Sequence, residues 1–423
     1  MIGSAMQEQA SHPLVPLHDT IEVPLPKQPV HRPEPMRFRE GRHMRIAIIS
    51  PIRHPISAPF MGGMEAHSYA LAGALVARGH EVTLFASGDS QPPEGVELYP
   101  VTEHHVDSAY PSKGGRESDV PDTHLDGAFA GILQKLETGG FDIIHNNSLH
   151  RYPPRLARRE RIAMLTSLHV PPLETLRDAV HDARAPWCRF TVCTGAQRER
   201  WAKPDCDLSF HVVPNGIDTG VWGFCPHADG SAVWFGRITP NKGTAEAVKA
   251  ARIAELPLRI YGPIEDRAYF DDTIAPYLGS QITYGGNLTA EDLSAEVARA
   301  SVCFFTPVWD EPFGLAAAEA MSCGVPVAAF DSGAVREVVG EAGMIVPTGD
   351  VSALASAARK AMTCDRQFVR DRAVARFGVE RMVDRYEELY RMCMAGLSEP
   401  APEVDFAPDD LPPAEVGVRL AVE

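Results

Sequence analysis

Long apolar runs and paired cysteines are absent from this sequence. No stretch approaches the roughly 18 consecutive apolar residues of a membrane-spanning helix, so none is predicted. The first residues lack the basic and then apolar layout of a secretory signal, and none of the eight cysteines forms a C-x-x-C pair. We therefore expect a cytoplasmic protein whose thiols are reduced and mostly buried.

Positive charge is scarce as well. The chain carries 40 Lys and Arg residues against 56 Asp and Glu residues, which gives a net charge of −16. Such an acidic surface repels a phosphate backbone, so we expect no nucleic-acid partner. The local exception is the arginine group between Arg151 and Arg161. A solvated helix face is the favoured interpretation, and peripheral contact with a membrane or an anionic acceptor is the alternative.

Both ends of the chain differ in composition from its middle. Residues 1–43 are rich in Pro, His and Gln, and the chain is acidic and Pro-rich from residue 397 onwards, so both ends are predicted to be disordered. Between them, apolar strands alternate with helix-period segments, which is typical of parallel sheets covered by helices. The predicted plan is a Rossmann-like domain at 44–214, a linker at 215–230, a second Rossmann-like domain at 231–378 and a helix at 379–396 that packs back toward the first domain.

Each half of this middle region contains a series of predicted strands. Those of the first half are Arg45–Ser50, Glu81–Ala86, Asp142–Asn147, Ile162–His169, Phe190–Thr194 and His211–Pro214. Those of the second half are Ala232–Arg237, Leu258–Gly262, Ile282–Gly285, Val302–Thr306, Val325–Phe330 and Met344–Pro347. Ligands of such domains bind beyond the C-terminal ends of the strands, so residues that follow strands are the candidates for a site.

Two cations follow the first strand of the second half. Arg237 ends that strand and Lys242 lies five residues later on a short loop. Fixed cations at a sheet edge can stabilise the negative charge that grows on a departing diphosphate. The alternative interpretation is a pair of solvated surface cations.

An acidic motif follows the strand Val302–Thr306. Glu311 precedes Gly314 and Leu315, which begin a helix whose backbone amides can bind a phosphate group, and Glu319 lies about two turns further on. Carboxylates accept hydrogen bonds from vicinal diols, so one glutamate suits a sugar and the other a ribose. The alternative is a capping glutamate followed by an ordinary helical one.

Two weaker signals lie in the first half. Gly62 and Gly63 open a helix and permit close approach of backbone to a phosphate or a sugar, although the G-x-G-x-x-G fingerprint is absent. His169 ends a strand and can donate to a sugar or polarise an acceptor, and His145 competes for that role. The D-x-D pattern Asp205-Cys206-Asp207 follows no strand, and we interpret it as a solvated turn and not as a metal site.

Together these residues resemble glycosyltransferase family 4, a retaining group with the two-domain GT-B fold. The resemblance runs from about Met44 to Met394, and its most specific part is the E-x7-E spacing of Glu311 and Glu319 around Pro-Phe-Gly. The other matching segments are Gly62-Gly63 with Glu65, Gly79-His80-Glu81-Val82, Pro214-Asn215-Gly216-Ile217-Asp218, Gly236-Arg237 and Lys242-Gly243.

The resemblance implies an α/β protein in which two facing Rossmann-like, doubly wound domains enclose a cleft, the first for the acceptor and the second for a nucleotide sugar. It implies that Arg237 and Lys242 bind the diphosphate, that Glu311 orients the donor sugar and that Glu319 binds the ribose. The other implied site residues are Gly62, Gly63, Phe313, Gly314 and Leu315 at the donor, Gly262 and Asn287 near the base, and His169 near the sugar.

The resemblance also implies the chemistry. A hexosyl group leaves a nucleotide-diphosphate sugar, for which UDP-glucose is the first expectation, and reaches an unidentified acceptor with retention and without a metal or other cofactor. No carboxylate is an obvious covalent nucleophile, so same-face substitution is favoured, with the leaving phosphate helping to deprotonate the acceptor. Two alternatives remain open, namely a nucleotide-sugar epimerase on the same scaffold and a non-catalytic sugar-nucleotide-binding protein.

Overall fold

A computed structural model describes residues 43–109, 122–204, 206, 208–400 and 411. The predicted extension lies outside the described residues apart from His43, and so does most of the predicted tail. Asp205 and Asp207, the two acidic positions of the D-x-D pattern, also lie outside them. Leu411 is only 8% exposed and packs against an apolar cluster of the first sheet, and the disorder of the tail stays a prediction.

The first half forms a seven-stranded sheet in the order β3-β2-β1-β4-β5-β6-β7, with every neighbouring pair parallel. Its strands are β1 (Arg45–Ile49), β2 (Glu81–Ser87), β3 (Val96–Thr102), β4 (Ile143–Asn146), β5 (Met164–Leu168), β6 (Cys188–Val192) and β7 (Phe210–Val212). Its helices are α1 (Gly63–Ala77), α2 (Val106–Ala109), α3 (Asp122–Thr138), α4 (Tyr152–Glu160), α5 (Glu174–Asp182) and α6 (Gly195–Trp201). The central strands β4 and β5 are buried along their whole length because helices cover both faces of the sheet.

The second half forms a six-stranded parallel sheet in the order β10-β9-β8-β11-β12-β13. Its strands are β8 (Ala232–Phe235), β9 (Leu258–Tyr261), β10 (Ile282–Tyr284), β11 (Val302–Phe305), β12 (Val327–Phe330) and β13 (Gly343–Val346). The helices are α7 (Thr244–Ile253), α8 (Arg267–Thr273), α9 (Ala290–Arg299), α10 (Leu315–Ser322), α11 (Val335–Val339), α12 (Val351–Ala361), α13 (Arg366–Phe377) and α14 (Val379–Gly396).

Both sheets reverse their strand order next to the first strand, between β1 and β4 in one and between β8 and β11 in the other. Crevices at such switch points receive ligands in doubly wound folds. The structure therefore has the predicted GT-B architecture of two Rossmann-like domains, and every strand predicted above is present within two residues at either end. All eight cysteines are unpaired, and most of them are buried.

One strand, β3, was missed by the sequence patterns. It lies at the edge of the first sheet, its residues are only partly buried, and it contains Pro100. An edge strand tolerates proline because one side of its backbone needs no partner, so neither an apolar run nor a clean alternation marks it.

The last helix, α14, follows the second domain in sequence but packs against α1 and the first sheet. Its residues Met382, Tyr386, Leu389 and Tyr390 are buried in the apolar cluster that includes β1 and β2. Arg78 at the end of α1 contacts three acidic side chains of α14, so charged contacts border this apolar seam. The helix thereby connects the two halves a second time.

Candidate functional site

The two predicted cations lie at the C-terminal edge of the second sheet. Arg237 follows β8, and its Nη1 lies 2.8 Å from Oε2 of Glu265. Lys242 ends a single 3₁₀ turn, Pro240–Lys242. The next residue, Gly243, has φ +69°, and a Cβ built there would lie 2.0 Å from the carbonyl oxygen of Thr306. Only glycine permits this approach, which fixes the lysine beside the end of β11.

Lys242 contacts the predicted sugar-binding glutamate. Its Nζ lies 2.8 Å from Oε2 of Glu311, and Glu311 is buried. The indole Nε1 of Trp309 donates to the same oxygen at 2.9 Å, and the ammonium of Lys242 lies 4.8 Å from the centroid of the Trp309 ring. Trp309 is not among the site residues predicted from the sequence, although an aromatic residue two positions before Glu311 was a signal that could have identified it.

Helix α10 begins in the cleft, directly after the acidic motif. Gly314 has φ +96° and precedes the first helical residue, Leu315, and no side chain caps this end of the helix. The free backbone amides and the helix dipole therefore suit an anionic group. The side chain of Phe313 is buried and packs edge-on against Phe377, with ring centroids 5.3 Å apart. The ring anchors the motif to the core, and a donor contact at Phe313 stays a prediction.

Glu319 lies further along α10. No described residue donates a hydrogen bond to its side chain, although the residue keeps partial exposure. Burial raises the pKa of the Glu319 carboxyl to about 8, since the charged form has lost water without gaining a partner. Because no described residue donates to the Glu319 carboxyl, its oxygens are available to accept hydrogen bonds from the two hydroxyls of a ribose.

The two residues predicted near the base differ in their surroundings. Gly262 has φ +127°, and a Cβ there would lie 1.9 Å from the carbonyl oxygen of Gly236. Any larger residue would clash with this oxygen, so the position requires glycine. Its own carbonyl accepts a hydrogen bond of 2.8 Å from the hydroxyl of Tyr284. Asn287 is exposed, with no side-chain hydrogen bond to any described residue.

The glycine loop of the first domain, Gly62-Gly63, meets the second domain at Arg237 and Leu315. A Cβ on Gly63 would lie 2.5 Å from Cδ1 of Leu315, and one on Gly62 would lie 3.7 Å from Nε of Arg237. Glu65 is only 5% exposed, and burial raises the pKa of its carboxyl, an effect that the charge of Arg237 opposes. The structure thus brings Gly62 and Gly63 to the start of α10 and to the predicted diphosphate clamp.

The two candidate histidines occupy different positions. His145 is fully buried, with Nδ1 2.6 Å from the hydroxyl of Tyr390 and Nε2 2.8 Å from that of Ser167, so both ring nitrogens are engaged in the core. His169 is 8% exposed, with Nε2 3.2 Å from Oδ1 of Asn147 and Nδ1 3.3 Å from the Cys193 sulfur. Burial lowers the pKa of His169 to about 4, so its imidazole is neutral at neutral pH.

A further histidine lies on the loop after β1. His54 is buried, and its Nε2 has no hydrogen-bond partner among the described residues. Burial lowers its pKa, and the charges of Asp107, Arg53 and Arg237 also act on it. No spacing in the sequence distinguishes His54, because it is a histidine in a Pro-rich segment.

Helix α6 of the first domain contacts the acidic motif and α11. The hydroxyl of Thr194 donates to the carbonyl of Pro312 at 3.0 Å, and the backbone N–H of Gly195 lies 2.9 and 3.1 Å from the two carboxylate oxygens of Glu337. Arg200 and Asp310 form an ion pair of 2.6 Å. The segment Asp310–Pro312 of the second domain is therefore connected to the first domain through Thr194 and Arg200.

The arginines between 151 and 161 make contacts within the chain. Arg151 pairs with Asp126, Arg155 with Asp182 and Arg159 with Glu160, while Arg158 and Arg161 lie over the ring of Trp187. This differs from the favoured prediction of a merely solvated face. In the described part of the chain, no helix combines the length and the apolarity needed to cross a bilayer.

Two Rossmann-like domains, with cations and an E-x7-E motif between them, define a glycosyltransferase of the GT-B class. Residues 61–221 match the family described as Glycosyltransferase Family 4, and residues 230–364 match the one described as Glycosyl transferases group 1. The chain belongs to glycosyltransferase family 4, which confirms the resemblance seen in the sequence.

Individual relatives extend over most of the chain. It is 26% identical to the phosphatidyl-myo-inositol mannosyltransferase of Mycobacterium leprae (strain TN) over 74% of this chain and 86% of the relative. It is 27% identical to the D-inositol 3-phosphate glycosyltransferase of Rhodococcus erythropolis (strain PR4 / NBRC 100887) over 87% and 96%. Among solved structures, Anabaena Alr3699/HepE in complex with UDP-glucose superposes with a TM-score of 0.64, at 17% identity and over 82% and 99%.

Proposed function

We propose that this glycosyltransferase moves a hexosyl group, with retention and without a metal, from a nucleotide-diphosphate sugar to a hydroxyl acceptor. The observation that carries the proposal is the convergence of Arg237, the Lys242–Glu311 pair and the uncapped start of α10 at one sheet edge. Cations and backbone amides suit the diphosphate, while carboxylates suit the hydroxyls of the sugar and the ribose.

The proposed reaction uses these groups as follows. Arg237, Lys242 and the Leu315 amide stabilise the charge on the departing diphosphate, which replaces the role that a divalent ion has in other enzymes. Glu311 orients the donor sugar and Glu319 binds the ribose. The acceptor hydroxyl attacks from the face that the diphosphate leaves, and a phosphate oxygen of the leaving group takes its proton. The neutral imidazole of His169 serves as a hydrogen-bonding group near the sugar.

UDP-glucose is the donor that we propose first. It is the ligand of the Anabaena complex described above, and it agrees with the expectation from the sequence. The names of the two curated relatives point to inositol-bearing acceptors, so inositol phosphates and phosphatidylinositol are the first acceptors to assay.

The test begins with thermal unfolding of the full chain in the presence of UDP-glucose, GDP-mannose, ADP-glucose and the bare nucleotides. A ligand at a hundredfold its Kd adds about 2.7 kcal/mol to the free energy of unfolding, so the true donor raises the midpoint clearly. The Arg237→Ala variant is expected to lose this increase. Turnover of the stabilising donor, with EDTA present and the anomeric configuration of the product determined, then tests the metal-free retaining reaction.

The outcomes separate the alternatives. Turnover with retention in EDTA supports the proposal in full, whereas inversion or a metal requirement would overturn that part of it. Binding of a sugar nucleotide without turnover for any acceptor or water would favour a non-catalytic binding protein. Interconversion of the donor sugar without transfer would identify an epimerase.

A further inference from the structure

Trp309 lies in the segment between β11 and α10, at the centre of the proposed donor site. We propose that Trp309 is a positioning residue that holds Glu311 and Lys242 in their catalytic arrangement. This inference rests on the proposed function, because it assigns the indole a role in the same transfer reaction.

The contacts of Trp309 define two separate interactions. Its Nε1–H donates to Oε2 of Glu311 at 2.9 Å, and the face of its ring lies 4.8 Å from the Lys242 ammonium. Lys242 donates to the same Oε2 at 2.8 Å. Oε2 is thus held by two donors, while no described residue donates to Oε1, which leaves that oxygen for a donor-sugar hydroxyl.

The arrangement also determines what happens when the diphosphate arrives. The Lys242 ammonium then donates to the phosphate oxygens as well, and its hydrogen bond to Oε2 of Glu311 weakens. The indole N–H stays on Oε2, and the aromatic face keeps the ammonium close to the cleft by a cation–π interaction. Without the indole, Glu311 would lose its orientation at the moment when the sugar bond breaks.

The backbone around Trp309 is fixed from both sides. The amide of Val308 donates to the carbonyl of Asn241 at 2.9 Å, and the hydroxyl of Ser332 donates to the carbonyl of Trp309. Gly333 has φ +59°, and a Cβ there would lie 2.3 Å from the carbonyl oxygen of Glu311. The segment therefore presents the indole on a rigid support, as a positioning role requires.

Two substitutions separate the two interactions. Trp309→Phe keeps an aromatic face for Lys242 but deletes the N–H, and Trp309→Leu deletes both. For Trp309→Phe we expect kcat with UDP-glucose to fall by about 10- to 100-fold, the usual effect of deleting a hydrogen bond to a charged group. The Kd for UDP should stay within about twofold. Trp309→Leu should in addition weaken UDP binding by about 2- to 5-fold.

Val308→Ala is the matched control, because Val308 is the exposed neighbour in the same segment and should leave kcat and Kd unchanged. The thermal midpoint of each variant is measured alongside. Wild-type kinetics in Trp309→Phe would overturn the inference, and so would a joint loss of UDP binding and thermal stability, which indicates a merely structural role. If the wild-type chain turns over no donor, the proposed function fails first and the inference fails with it.

Discussion

Lys242 and Glu311 contact one another across 2.8 Å, and both are expected to contact the donor. Each compensates the charge of the other while the cleft holds no ligand, which reduces the cost of keeping a carboxylate buried. A diphosphate then competes with Glu311 for the ammonium. On the proposed function, the pair therefore couples arrival of the anion to the loss of one of the two hydrogen bonds that hold Oε2 of Glu311.

The role of Lys242 predicts a large kinetic effect. Lys242→Ala should lower kcat by about 10²- to 10³-fold, because it removes one preorganised charge from the leaving group. Lys249→Ala is the control, since Lys249 is an exposed lysine on α7 that pairs loosely with Glu246. Steady-state kinetics with the stabilising donor provide the measurement. A loss of less than about threefold in Lys242→Ala would contradict the assignment.

The raised pKa of Glu319 predicts a dependence of stability on pH. Its folded pKa of about 8 lies above the ordinary value of 4.5, so the native state binds more protons than the unfolded state between these values. This group's contribution is therefore fully present below pH 4.5 and is lost as the pH rises through 8. The uncharged Glu319→Gln variant should gain thermal stability relative to the wild type as the pH rises from 5 to 9.

Thermal unfolding of ligand-free protein across this range checks the prediction. Glu291→Gln, at an exposed position in the first turn of α9, is the control and should differ from the wild type by a nearly constant amount between pH 6 and 9. Parallel curves for Glu319→Gln and the wild type would show that the carboxyl is ionised throughout.

The turn after β8, at Gly236, packs directly on the turn after β9, at Gly262. The backbone of Gly262 lies against that of Gly236, and the N–H of Gly236 donates to the carbonyl of Tyr261 at 3.1 Å. This contact holds the loop that carries Arg237, so backbone packing and the placement of the Arg237 side chain depend on the same residues.

Gly262→Ala should therefore destabilise the protein by about 2–4 kcal/mol, through a steric clash and an unfavourable positive φ together. Gly286→Ala is the matched control, because Gly286 also has a positive φ, +85°, but an added Cβ would have no neighbour within 4 Å. It should cost only about 1–2 kcal/mol. Chemical denaturation measures both, and equal effects would show that backbone conformation alone matters at Gly262.

At the scale of the whole molecule, α6 connects the first domain to the acidic motif and to α11 of the second domain. Glu337 of α11 accepts from the Gly195 amide with both carboxylate oxygens. Thr194 contacts the carbonyl of Pro312, directly after Glu311. Contacts of this kind between the two domains favour closure of the cleft.

Glu337→Ala should therefore favour a more open molecule. We expect a larger radius of gyration in X-ray solution scattering and a KM for the donor that is about 5- to 10-fold higher, because a charge-assisted contact that closes the cleft is lost. The neighbouring exposed Glu341 provides the control variant, Glu341→Ala. An unchanged radius of gyration and an unchanged KM would show that other contacts close the cleft.

Local sequence patterns were sufficient for much of this protein. Apolar runs such as Ile46–Ile49 and Val302–Phe305 marked the strands, since both faces of a parallel strand in the middle of such a sheet are buried. The spacing of Glu311 and Glu319 identified the family, and the GT-B fold followed from it. These features depend on residues close together in the chain, so a single sequence reveals them.

Only the tertiary structure decided which side chains meet. Phe313 lies within the motif, but its ring packs against Phe377, 64 positions further along the chain. The packing of helices and sheets decides that His145 is hydrogen-bonded in the core. It also brings Gly195 into contact with Glu337, 142 positions further along the chain. Such contacts follow from shape and burial in three dimensions, and they leave no period or spacing in the sequence.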